Sequence, residues 1–129
     1  MAYCFVTTLK DDFEQVVIRV TDELVREGFG ILTEIDVKAT LKKKLGVDFR
    51  PYRILGACNP PYALRALQAE PRIGAMLPCN VIVQQLESGE VEVAAVDPLA
   101  SMQAIENQAL GEVAGEIRMK LQKVITRLG

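Results

Sequence analysis

Apolar and polar positions alternate along this chain in ways that divide it into strands and helices before any chemistry is considered. Residues 3–9, Y-C-F-V-T-T-L, are aromatic and β-branched and predict a first strand. Phe13, Val16, Val17, Val20 and Leu24 then recur at helical spacing. Asp11 and Glu14 stand at capping-box distance ahead of that stripe and Gly28 follows it as a stop, which predicts a helix over about 12–27. Phe29 to Asp36 alternates as a second strand. A strand, a four-turn helix and a strand suggest a right-handed crossover, with the first two strands parallel.

Asp36 is placed to cap a short helix with Val37, Leu41 and Leu45 on its apolar side and Gly46 at its end. Tyr52 to Cys58 predicts the third strand. Asn59 then serves as an N-cap with Pro60 in the first helical position, opening a helix that stops before Pro71. Residues 72–78 read as a loop or short turn. Val81 to Glu87 and Glu90 to Val96 predict the fourth and fifth strands around a Ser88-Gly89 turn. From Asn107 onward, Leu110, Val113, Ala114, Ile117, Leu121, Val124 and Leu128 trace one stripe of a long C-terminal helix. The expected fold is α+β in a single domain over 1–129. It is one mixed sheet of about five strands, with two short inserted helices and the two long helices on one face.

Composition narrows the function classes without choosing one. The 129 residues are half apolar and one quarter charged, with a net charge of −2. That suits an ordinary globular domain and gives no global field to attract nucleic acid or a membrane. No stretch approaches the roughly 18 apolar residues of a spanning helix, and the N-terminus lacks the pattern of a signal peptide. The expected location is the cytoplasm, with neither a nucleic-acid nor a membrane partner. Three irregularly spaced cysteines do not form a disulfide framework, and histidine is absent.

Candidate chemistry gathers in Ile54–Asn80, where Cys58-Asn59 and Cys79-Asn80 each lie beside proline. A two-residue Ser88-Gly89 loop would place Asn80 opposite Asp97. If the third strand runs antiparallel beside the fourth, one sheet edge collects Cys58, Asn59, Cys79, Asn80 and Asp97. Cys58 precedes a helix start, where the dipole favours thiolate, so it is a candidate reactive thiol with Cys79 as redox partner. The plainer reading makes both cysteines small buried hydrophobes and both asparagines local backbone ligands. Cys4, mid-strand, is expected in the core. A metal bound by Cys58, Cys79 and Asp97 would lack a ligand, so no metal is expected.

Two charged features are also candidates. Lys38, Lys42, Lys43, Lys44, Arg50 and Arg53 could hold a small anionic molecule, or simply form a solvated face. Glu34 and Asp36 share one face of a strand, where paired carboxylates can do acid–base work, although Asp36 is already needed as a cap. Glycine-rich phosphate loops and nucleophile elbows are absent.

The run G-F-G-I-L-T-E-I-D-V-K-A-T-L-K-K-K-L-G-V-D-F-R-P-Y-R-I-L-G-A-C-N-P-P, followed by L-P-C-N-V-I-V and V-A-A-V-D-P, resembles the prokaryotic domain-of-unknown-function family numbered three hundred and two. The resemblance covers the whole chain and implies an α+β fold of strand, helix, four strands and helix, with no activity attached. It singles out Glu34, Asp36, Lys43, Cys58, Asn59, Pro60, Cys79, Asn80, Asp97 and Pro98 without giving them roles. Three expectations follow. The first is ligand binding or thiol redox chemistry at Cys58, Cys79 and Asp97, with Asn59, Asn80, Lys43 and Glu34 as further binding residues. The second is a structural homodimer paired through the open sheet face or the C-terminal helix. The third is an enzyme using the carboxylates and the thiol on a small anionic substrate that Lys43 or Arg53 would hold. Substrate and cofactor are left open.

Overall fold

The computed structural model describes residues 2–129. Its elements are β1 (Cys4–Leu9), α1 (Phe13–Arg26), β2 (Gly30–Asp36), α2 (Val37–Leu45), β3 (Tyr52–Cys58), α3 (Pro60–Ala69), β4 (Cys79–Gln85), β5 (Val91–Val96), α4 (Pro98–Met102) and α5 (Gln108–Leu128). A 3-10 turn, Ile73–Met76, sits between α3 and β4. The α+β architecture is as expected, with one five-stranded sheet in the order β1-β5-β4-β3-β2. Every neighbouring pair is antiparallel, so the sheet is not mixed. β1 and β2 do point the same way, yet they never meet: α1 carries the chain from one edge of the sheet to the other. Only a parallel neighbour would have made the sheet mixed.

The two long stripes close the core. Phe13, Val16, Val17, Val20 and Leu24 of α1 are buried, as are Leu110, Val113, Ala114, Ile117, Leu121 and Val124 of α5. They pack on Leu55, Val81, Val83, Val91, Val93 and Ala95, the inward positions of the three central strands. Arg19 donates to the Leu128 carbonyl and Arg127 to the Glu27 carboxylate, tying α1 to the end of α5. At the start of α1 the cap is Asp12, which accepts from the Gln15 N–H; Asp11 instead faces Arg19. Gly28 stops the helix at φ +89°, a region that disfavours side chains. α2 is capped by Asp36 as expected but buries none of its residues fully, and Leu45 is exposed.

The β4–β5 hairpin departs from expectation by one residue. Leu86 donates to Glu90 and Gly89 donates back to Leu86, so the loop holds three residues, Glu87, Ser88 and Gly89, with Gly89 at φ +90°. The strands are accordingly shorter than expected at this end, and the register runs from Gln85↔Val91 to Val81↔Ala95. Extended to the far end, that register sets Cys79 level with Asp97 and leaves Asn80 on the opposite face. Side chains alternate with a period of two, so a one-residue slip reverses every position.

The other sheet face carries no helix. One row crosses all five strands there: Ile35↔Ile54↔Ile82↔Ala94↔Val6. Cys4 also lies on this face, half-buried at the start of β1 instead of in the core. At the β2 edge the ladder is broken by a bulge between Ile31 and Thr33. Among the described residues no helix is long and apolar enough to cross a membrane.

Candidate functional site

β3 ends and β4 begins at the same end of the sheet, and the 20 residues between them do not lie flat. Asn59 has extended backbone angles, Pro60 and Pro61 occupy the first helical turn where no N–H is needed, and α3 rises away from the sheet. It leans on α5, to which it is tied by the Asn107 side chain donating to the Ala69 carbonyl. Between α3, α5, the 3-10 turn and the sheet end lies a cavity of about 330 Å³. Phe29, Ala57 and Cys79 form its sheet side, Tyr62, Ala63 and Ala66 the α3 wall, and Val113, Ala114 and Ile117 the α5 wall. The alanines explain the space: helices held apart by larger neighbours leave a void where their side chains stop at Cβ.

Cys58, Asn59 and Cys79 all line this cavity. Three of the five residues expected at one edge therefore meet. Asn59 is 7% exposed, the only buried polar or charged residue among those described. It occupies the N-cap position of α3 without capping it by its side chain; instead its Nδ2 donates to the Glu27 carbonyl at 3.0 Å. Gly28 is tight against it, since a Cβ there would stand 3.2 Å from Nδ2. Asn59 thus pins the turn between α1 and β2 to the end of β3. Cys79 is buried, and burial, helped by the neighbouring Cys58, pushes its thiol up to about 11. Cys58 is half-buried, and all three cysteines are free thiols.

The remaining expected residues lie elsewhere. Asn80 is exposed on the open sheet face. Asp97 caps α4 by accepting from the Leu99 N–H and binds Arg118 at 3.1 Å, in a groove separated from the cavity by α4. Glu34 belongs to an ion cluster on the helix-covered side, in which Arg53 reaches Glu14 at 2.6 Å, Glu34 at 3.0 Å and Asp36 at 4.0 Å. Arg53 also lies over the Phe13 ring. Glu34 is four residues along β2 from Gly30, which pairs with Cys58, a distance of about 13 Å. Lys43 is exposed on α2; in the same basic run Lys42 meets Asp48 and Lys38 donates to the Phe49 carbonyl. Among the described residues no three His, Cys, Asp or Glu side chains stand close enough to share a metal ion.

Sequence reasoning missed Tyr62, Ala63, Ala66, Met102 and Ala114, which give the cavity its shape. An alanine on a helix reads as a helix former, and nothing local says that two such faces will oppose each other. α4 also went unforeseen, though Asp97-Pro98 is a cap followed by a first-turn proline.

No protein of curated function matches this chain. The crystal structure of an uncharacterized conserved DUF302 protein from Bacillus stearothermophilus is 28% identical and covers both chains completely, with a TM-score of 0.92. The family model "Domain of unknown function DUF302" matches residues 5–128. The chain belongs to the DUF302 family.

Proposed function

We propose that this protein binds a small, largely apolar ligand in the cavity between α3 and α5, with Cys58 and Asn59 as its polar contacts. The observation that carries the reading is an apolar space of about 330 Å³ meeting a single buried amide. That combination of volume, apolar wall and few polar groups is typical of ligand sites. Redox chemistry between Cys58 and Cys79 is the weaker use of the same residues. With its thiol at about 11, Cys79 is thiolate only about once in ten thousand molecules at neutral pH. An enzyme that holds an anionic substrate with Arg53 is weaker again, because three carboxylates already engage that guanidinium.

The reading is tested by filling the space. Ala63→Phe on the cavity wall should abolish binding of a medium-chain aliphatic probe measured by calorimetry, while the melting temperature holds or rises. Occupancy in the wild type should also slow alkylation of Cys58. If Ala63→Phe binds the probe as wild type does, the cavity is not the site.

The open sheet face favours a second reading, association of two copies. Outward positions of a sheet covered on one side are ordinarily polar. Here the row Ile35, Ile54, Ile82, Ala94 and Val6 is apolar across all five strands, with Val6 52% and Ile35 47% exposed. Two such faces stacked about 10 Å apart would cover the row.

A further inference from the structure

The cavity is apolar, but its surroundings carry an excess of one charge. Tyr62 lines the cavity, and two cations flank its ring: Arg65 Cζ is 5.5 Å and Lys120 Nζ 5.8 Å from the ring centroid. Arg65 is shared with Glu116 at 3.0 Å, both side chains about half exposed, so that contact holds it weakly. Lys120 stands one turn beyond the lining residue Ile117 on α5. Among the described residues its ion-pair partner is the Glu27 carboxylate, at 3.9 Å, and the other oxygen of that carboxylate takes the 2.6 Å bond from Arg127. Glu27 and Glu23 are the opposing charges here, and Arg26, Lys120, Lys123 and Arg127 surround them. With Arg65 and Glu116 included, five cations face three carboxylates in a chain whose net charge is −2. The cluster adjoins the cavity directly, since Asn59 lines the cavity and donates to the Glu27 carbonyl.

We infer that the ligand is a medium-chain aliphatic monocarboxylate, its tail in the cavity and its carboxylate beside Tyr62, where Lys120 and Arg65 supply the positive charge. This rests on the cavity reading above. Volume sets the tail: a cavity of about 150 Å³ accepts benzene, so one of about 330 Å³ takes roughly a dozen carbons. The apolar walls exclude a polar tail, which would lose its hydration without replacement. Charge sets the head. A carboxylate converts the loose 3.9 Å contact of Lys120 into a direct charge-assisted hydrogen bond. An alcohol of equal length gains no such attraction, and an amine is repelled by the surplus cations. The half-exposed Arg65 supplies the second donor without losing a buried partner.

The test is calorimetric titration of the full chain with decanoate, decanol and decylamine, for the wild type and Lys120→Gln. Decanoate should bind at least about tenfold more tightly than decanol, the size of one charge-assisted hydrogen bond, with decylamine weakest. In Lys120→Gln, the preference for decanoate over decanol should fall to within about threefold. Equal affinity of the wild type for decanoate and decanol would overturn the carboxylate assignment and leave the cavity reading standing. Failure of all three to bind would overturn both. A full preference retained in Lys120→Gln would overturn the role of Lys120. If that variant melts early, the wild type still decides: a preference for decanoate that does not shrink as salt rises rules the charged contact out.

Discussion

Gly56 shows how much a single position can decide. It sits in β3 with its missing side chain directed at the open face, where a Cβ would run into Thr33 Oγ1 and come within 2.7 Å of Pro78 Cγ. Gly56→Ala should therefore destabilise the protein by about 1–3 kcal/mol, read as a lower urea midpoint with an unchanged slope. Glu27 decides by charge. Burial alone would raise its carboxyl, but the Arg127 hydrogen bond and the charges of Arg127, Lys123 and Lys120 outweigh burial and hold it below the ordinary value. Because the folded value is the lower one, the unfolded chain binds more protons in the window between the two. The stabilisation is complete above the ordinary carboxyl value and disappears as pH falls through the folded one. Arg127→Gln should lower the unfolding free energy near neutrality by about 1 kcal/mol, read from urea unfolding, and flatten its decline into acid. At this scale the sequence was informative about identity and poor about direction. Cys58, Asn59 and Cys79 were singled out by proline-flanked Cys-Asn pairs and do share one cavity. Asn80 was misassigned because it sits between Cys79 and Val81 in β4, and neighbours along a strand point to opposite faces; the three-residue hairpin loop, in place of two, then sets Cys79 level with Asp97.

Elements with a long period were legible for a simple physical reason: a stripe of buried residues repeats several times and each repeat reinforces the others. α5 is the clearest, and Leu121 at its centre is fully buried between α1 and the sheet. Leu121→Ala should cost about 2–5 kcal/mol, measured by chemical unfolding, because neighbours fixed on rigid elements cannot collapse into the space left behind. Short elements were read less well. α4 has five residues and no period to detect. The pairing of strands was not legible either, since β1 and β2 alternate in the same way whether adjacent or at opposite edges. Which strands meet is settled by where α1 and α5 lie down, a property of the assembled core.

At the scale of the whole molecule the two sheet faces have different assignments. One is closed by α1 and α5; the other presents the apolar row from Ile35 to Val6. If that row joins two copies, light scattering should give twice the chain mass of 14.2 kDa. Replacing Val6 and Ile82 with Lys should return the monomer without loss of helical circular dichroism, since both residues point away from the core. A wild-type monomer at all concentrations would remove the second reading and leave the cavity reading untouched. The cavity and the row are separated by one layer of strand, and β4 serves both: Cys79 faces one and Asn80 the other.

The bulge in β2 bears on what happens at the margin of the sheet. β2 is an outermost strand, so half of its backbone donors and acceptors have no neighbour within the fold, and an even run of them would be a template for chain-to-chain aggregation. Three devices blunt it: the irregularity between Ile31 and Thr33, the carboxylates of Glu34 and Asp36, and α2 following at once. Deleting Leu32 would restore a straight ribbon, and the first symptom should be insoluble polymer instead of a lower melting point.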